Sequence, residues 1–366
     1  MKKLVLLAAV AVCTLAANAA TWRINSNPAA KPDFLSLKAA CDSDYVAIGD
    51  TLYCEPAEYN VSEENTITKK GLVLIGPGFN FKNNYGGIST IAEATFSAAI
   101  NLREDSIQIE GVKAAEIILW ESRKDIVIER CYLGKVRTGD SYRNQKRIAI
   151  RSNYFPANYG PGYERIIFSN QNEASEIDIE NNIIIVDPHG INLTTTYGTA
   201  LSAVIAHNTI IDIYQADNFP VLATSHSEIR DNIFIQKYGK KGFLYLDQLV
   251  NCQIYNNVWS MVEADVTAEV YAQYGADNYF IGATEENTFT CQQVGGASET
   301  YYQLKEGSVA AGKAYQHEDC GAFAGTWPFV INGRPLGVPY IYDVVAPHRP
   351  ENDVLTITFK VKANNE

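Results

Sequence analysis

Ile177-Asp178-Ile179-Glu180-Asn181-Asn182-Ile183-Ile184 is the stretch on which the fold turns. Two isoleucines one residue apart put one face of a strand against apolar surroundings and leave Asp178 and Glu180 on the other. An asparagine pair follows, and then a second apolar pair. The chain therefore turns sharply at the asparagine and continues as another strand, and Asn suits that place because it tolerates left-handed backbone angles.

The same pattern recurs on both sides. Ile148-Ala149-Ile150 precedes Asn153, Ala203-Val204-Ile205 precedes Asn208, Ser227-Glu228-Ile229 precedes Asn232, and Cys252-Gln253-Ile254 precedes Asn257. Ile126-Val127-Ile128 with Cys131, and Ile107-Gln108-Ile109 with Val112, are variants of it. From Cys131 onward the steps are 22, 29, 26, 24 and 25 residues, the loose period of solenoid coils. Strands stacked about 4.8 Å apart let each inward asparagine amide donate to one rung and accept from the other, which satisfies it when buried. The expected fold is all-β, a single-stranded right-handed parallel β-helix with a structural ladder of Asn153, Asn182, Asn208, Asn232 and Asn257.

The ends read differently. Residues 34–41, with Leu37 and Ala40 on one side, predict a short amphipathic helix that caps the first coil, because an open solenoid end exposes apolar side chains and unpaired edges. After Trp327, Pro328, Pro335, Pro339, Pro347 and Pro350 preclude continuous pairing in a central sheet. An irregular tail remains, with one alternating strand at residues 354–361, and it wraps the solenoid end or packs along its side. The domain plan is a signal peptide at residues 1–19, an N-terminal cap at 20–45, a β-helix at 46–326 and a C-terminal tail at 327–366.

Lys2 and Lys3 ahead of an apolar run and the small residues Ala17 and Ala19 have the form of a secretory signal. The run is shorter than the roughly twenty residues of a membrane span. The expectation is a secreted, periplasmic or cell-surface monomer without a transmembrane segment after cleavage. Loss of Lys2 and Lys3 from the 30 basic residues leaves 28 against 42 acidic ones, a net charge two below the −12 of the full chain. Such a surface repels nucleic acid and anionic lipid. Of seven cysteines, Cys13 lies in the leader. Cys41 with Cys54 and Cys291 with Cys320 are candidate disulfides in an oxidising compartment, whereas Cys131 and Cys252 fall at core-facing repeat positions. Scattered histidines and the absence of a CxxC argue against a structural zinc site.

Two segments resemble a known family. Ile48-Gly49-Asp50-Thr51-Leu52-Tyr53-Cys54-Glu55-Pro56-Ala57-Glu58-Tyr59 resembles the opening coil of pectin lyase-like right-handed β-helices, and Gly71-Leu72-Val73-Leu74-Ile75-Gly76-Pro77-Gly78 their next coil. Gly307-Ser308-Val309-Ala310-Ala311-Gly312 and Cys320-Gly321-Ala322-Phe323-Ala324-Gly325 resemble the closing coil of secreted β-helix proteins of Bacteroidetes type. The likeness covers roughly residues 35–330. It is specific for fold and weak for activity, because this superfold hosts many functions. It implies a substrate groove on the strand preceding each Asn-bearing strand, here residues 99–102, 117–120, 165–168, 190–194, 220–223 and 243–246. With Ile100, Leu102, Ile191 and Leu193 inward, Asn101, Asn192 and Thr194 face out.

A polysaccharide lyase must neutralise a uronate carboxylate, by calcium or a basic cluster, and place a base near C5. A glycoside hydrolase needs two carboxyls about 5 to 9.5 Å apart. The outward column supplies no evident carboxylate pair. Asp187-Pro188-His189-Gly190 resembles the His-Gly element of polygalacturonase-like hydrolases, but the accompanying aspartates are missing, so no catalytic residue is assigned. Asp178, Glu180, Glu228 and Arg230, with Arg151 and Glu129 in adjoining rungs, read as a soluble face of mixed charge, the alternative being a charged binding strip that neutral substitutions at Arg151 and Arg230 would weaken. Sugar rings stack on aromatic planes; Tyr245 and Trp120 are candidate platforms as much as packing groups, while Tyr238, Tyr255 and Trp259 read as packing groups. The candidate carbohydrate-binding residues are Trp120, Glu121, Arg165, Asp187, His189, Asn192 and Tyr245. The first function expected is binding of extracellular or cell-surface polysaccharide without a complete catalytic set. The alternatives are a lyase, or less favourably a hydrolase, acting on uronic-acid glycans, and a structural or adhesive envelope protein. No cofactor or metal is expected, save calcium under the lyase alternative.

Overall fold

A computed structural model describes residues 19–79, 93–140, 143–157, 164–168, 171–186, 190–193, 201–213, 221–237, 246–247, 249, 251–293, 298–334, 339–345, 354 and 358–363. The chain is an all-β parallel β-helix. One sheet of ten parallel strands runs from Thr21–Ile24 to Gln253–Tyr255 and contains every Asn-bearing strand. A second sheet of sixteen strands carries the two remaining faces, which merge where the long strands Lys113–Leu119 and Tyr132–Thr138 span both.

Register follows the hydrophobic repeat. Leu52, Leu74, Ile109, Ile128, Ile150, Ile179, Ile205, Ile229 and Ile254 are successive partners in one inward column. All but Ile254 are sealed from solvent. A one-residue slip would drive the intervening charged residues inward, so this column fixes the pairing.

The asparagine ladder forms as the spacing predicts and extends one rung further. Asn153 Nδ2 donates to Asn182 Oδ1 at 3.1 Å, Asn182 to Asn208 at 3.0 Å, Asn208 to Asn232 at 3.0 Å, Asn232 to Asn257 at 2.9 Å, and Asn257 to Asn278 at 2.9 Å. Each amide also donates to a carbonyl of the coil before it, as Asn182 does to Ile150. Each Oδ1 additionally accepts a backbone N–H, as Asn208 does from Asn182. The left-handed backbone lies elsewhere than the sequence suggests. Ser152, Asn181, His207, Asp231 and Asn256, each just before a ladder asparagine, carry φ of 52° to 57°. The ladder residues themselves serve as hydrogen-bonding amides.

The ends differ from the expected plan. Helix Leu37–Asp42, N-capped by Ser36, packs Leu37, Ala40 and Cys41 into the core. The parallel sheet nevertheless starts at Thr21–Ile24, ahead of Val46, because Trp22 pairs with Leu52. At the other end the last solenoid strand is Tyr279–Phe280, and residues 304–325 are not a closing coil. They belong to a strap, residues 283–334, that turns back along the outside of the solenoid. Ala283, Phe289, Ala310, Ala314, Cys320, Ala322 and Phe329 from the strap pack on Ile183, Ile185, Ile211, Ile233, Ile235 and Val258 in a second apolar core. Beyond it, Pro339–Val345 and Thr358–Ala363 pair antiparallel, so the tail has two strands where one was expected. Pro339 opens the first of them, a position a proline tolerates.

All six described cysteines are free thiols, so neither candidate disulfide forms. Burial pushes the Cys54 and Cys320 thiols above their ordinary range, which suits inert packing groups. No described helix is long and apolar enough to cross a membrane.

Candidate functional site

The strands of the groove expected from the family likeness form a face, and most of its described candidate residues are already engaged. Its inward partners run Ile117, Val136, Ile166, Ile191 and Leu222. Asn101 is largely buried, donating to Ser62 and accepting from Trp120 Nε1 at 2.8 Å. Trp120 is further held by Arg103 over its ring and by Gly139, where any side chain would strike the indole. Glu121 is exposed and pairs with Arg123 at 2.9 Å. Arg165 does not face a ligand. It is 2% exposed and donates to the Ile185 and Gly134 carbonyls, bracing the sheet. Asn192 is half-buried, with its amide on Glu164 at 3.5 Å and its Oδ1 unpartnered. Asp187, His189, Thr194, Tyr238 and Tyr245 lie outside the described residues.

Among the described residues, a cavity that gathers ionisable groups with aromatic rings lies where strap meets solenoid. A cavity of about 400 Å³ is lined by His207, Arg230, Asp231, Tyr255, Tyr315, Glu318, Gly325 and Thr326. Three structural devices bring these together. Strand pairing sets Arg230 beside Tyr255. The left-handed column before the ladder delivers His207 and Asp231. The strap supplies the rest, anchored by the Tyr315 N–H on Asp231 Oδ1 at 3.0 Å and the Gly321 N–H on the Asp231 carbonyl at 3.0 Å.

Within the site the charges pair closely. Arg230 binds Glu228 and Asp231, each at 2.8 Å, and Tyr255 donates its hydroxyl to Glu228. Asp231 is fully buried, and His207 Nε2 faces its Oδ2 at 3.5 Å. Burial works against the Arg230 charge, but the bond to Asp231 together with the negative charges of Asp231 and Glu228 outweighs it and the guanidinium is held above its usual value. Burial lowers the His207 pKa against the opposing pull of Asp231, so the imidazole is neutral at neutral pH. Burial and the Glu228 bond push the Tyr255 hydroxyl up to about 12. Gly325, at φ +77°, lies flat on the His207 ring, where a Cβ would come within 2.7 Å of it.

Sequence reasoning assigned Glu228 and Arg230 to a soluble face and left His207 without a role. What could have exposed the site is the apolar run on both faces of Ile183-Ile184-Ile185-Val186 and Ile233-Phe234-Ile235. Strands apolar on both faces are covered on both, so something had to pack beside the His207 and Asp231 turns.

A second shallow cavity of about 410 Å³ lies on the first sheet among Asp125, Arg147, Arg151, Glu176 and Asp178. Its charges are paired, Arg147 with Asp125 at 2.6 Å, Arg151 with Asp178 at 2.7 Å and Glu176 with Lys146 at 3.1 Å. Among the described residues no three His, Cys, Asp or Glu are grouped to hold a metal ion.

Fold and site define an all-β parallel β-helix with a strap-roofed cavity. No protein-family model, no curated protein and no solved structure matches the chain.

Proposed function

We propose that this is an exported β-helix protein that binds extracellular or cell-surface polysaccharide in the cavity between strap and solenoid, without a complete catalytic set. One observation carries the reading. A cavity of about 400 Å³, within the range of small-ligand sites, gathers the phenol rings of Tyr255 and Tyr315 with His207, Arg230, Asp231 and Glu318. Aromatic faces and convergent polar groups are what a sugar ring requires. The likeness of the opening coils to pectin lyase-like proteins points the same way. The test is retention of the mature protein on a glycan panel and in affinity gels. Tyr255→Ala and Tyr315→Ala are expected to lower retention, by about tenfold each if each ring contributes about 1.4 kcal/mol. Silence across plant, host and microbial glycans, with binding to envelope proteins unaffected by any sugar, would instead favour a structural or adhesive role.

A polysaccharide lyase is the second reading, favoured by Lys135. It pairs in register with Glu116 on the expected groove face, is 9% exposed, and burial lowers its pKa, which brings an ammonium closer to serving as a base. Incubation with uronic-acid polymers, followed by the ultraviolet absorbance of an unsaturated product, tests it. Calcium would be required only under this reading.

A further inference from the structure

We infer that the strap cavity takes an uncharged, hydroxyl-bearing sugar residue and rejects a uronate. The inference rests on the glycan-binding reading above and names the ligand class for the same site.

It follows from which hydrogen-bonding capacity the cavity has left. Asp231 is fully buried and accepts from Arg230 at 2.8 Å and from the Tyr315 N–H at 3.0 Å. A carboxylate accepts only, so His207 Nε2, which faces it, carries the imidazole proton. Nδ1 is sealed from solvent, so the imidazole offers a ligand no acceptor. Glu318, exposed on the cavity wall, is the acceptor that remains. It lies close enough to His207 to act on its charge and forms no ion pair with a described residue. The positive charge that a uronate would need is not free, because Glu228 and Asp231 both hold Arg230. The site thus offers Glu318 as its open acceptor, and two carboxylates, Asp231 and Glu318, against the one guanidinium of Arg230. A ring hydroxyl donates to Glu318 and carries no charge, whereas a carboxylate meets the repulsion of Glu318 and Asp231 and finds the guanidinium already paired.

Matched polymers that differ only in oxidation at C6 provide the experiment, for example galactan against polygalacturonan and glucan against its C6-oxidised form. The probe is the full mature protein in affinity gels at fixed ionic strength. Retention on a neutral polymer, at least tenfold weaker on its oxidised partner, is the expected result. Glu318→Gln, an exposed position whose substitution leaves the fold intact, is expected to narrow that gap by raising uronate retention. Equal or tighter retention on the oxidised polymer, abolished by Tyr255→Ala, would overturn the inference while leaving the cavity a glycan site. Retention on neither polymer, in a panel that covers the other neutral glycans, would overturn both together.

Discussion

Asn332 Nδ2 donates to the Phe79 carbonyl at 3.0 Å, and the Phe79 N–H returns a bond to the Asn332 carbonyl at 2.8 Å, joining residues 253 positions apart. Between Cys320 and Gly333 the strap descends the solenoid one coil at a time. Cys320 donates to Asn256, Gly321 to Asp231, and Gly325 covers His207. Asn181 donates to the strap carbonyl of Ala322, Ser152 to that of Trp327, and Gly333 rests on Arg130. The strap thus reads the left-handed column rung by rung and ends beside Phe79.

Gly333 is where that docking is most sensitive. Its φ is +54°, and a Cβ there would collide with the Arg130 carbonyl and the Phe79 ring. Gly333→Ala is expected to cost at least about 1 kcal/mol in backbone conformation alone and to release the strap's far end. The measurement is limited proteolysis, with faster cleavage in residues 283–334 while the circular dichroism of the solenoid is unchanged.

The ladder predicts a stability effect that depends on rung position. Asn208 donates to Ile179, Ala206 and Asn232 and accepts from both Nδ2 and N–H of Asn182. Asn208→Ala removes those bonds and strands buried partners on two coils. At about 1 kcal/mol per bond with a penalty for each orphan, a loss of about 4 kcal/mol is expected in urea unfolding. Asn278→Ala, at the last rung and partly exposed, should cost about half as much.

How much of this was legible in the chain divides along physical lines. The inward column and five ladder asparagines could be read because period-2 alternation and a single amide at coil spacing are local signals repeated many times. Asn278 was missed because helix Ala268–Tyr274 occupies the place of its preceding strand, although Asp277-Asn278-Tyr279-Phe280 echoes Asp231-Asn232-Ile233-Phe234. The strap was mistaken for a coil because its docking is long-range. Gly321 and Gly325 look like turn residues in sequence, and only contact with Ile233 and His207 gives them their role. The site followed the strap, since His207 and Asp231 form a cavity only once Tyr315 and Glu318 arrive.

His207 links the site to pH. Its folded pKa is below the value of about 6.5 expected when unfolded, chiefly through burial, with Asp231, Arg230 and Glu318 facing it. As pH falls below about 6.5 the unfolded chain binds a proton that the native imidazole resists, so stability declines, by at most about 1.4 kcal/mol per pH unit for one group. His207→Asn matches the residue type at Asn181 and Asn256 in the same column and suits its φ of 52°. The variant is expected to flatten the decline between about pH 6.5 and 5, as measured by denaturant unfolding at pH 7, 6 and 5. An unchanged slope would mean that His207 is already charged in the native protein.

Arg165 distinguishes the two faces on which the proposed glycan site can be sought. On the likeness to pectin lyase-like proteins it belongs to a binding groove, yet its side chain is sealed and spends its donors on the Ile185 and Gly134 carbonyls. Arg165→Met keeps the aliphatic stem and removes the charge. It leaves those carbonyls unpaired, at about 1 to 3 kcal/mol for a buried group. A lower unfolding midpoint is therefore expected, with glycan retention per folded molecule unchanged. Tyr255→Ala should give the reverse, because its phenol lines the cavity while the ladder beneath it is held by Asn257. If Arg165→Met instead abolished retention at full stability, the ligand would lie on the groove face and the strap cavity would lose its role.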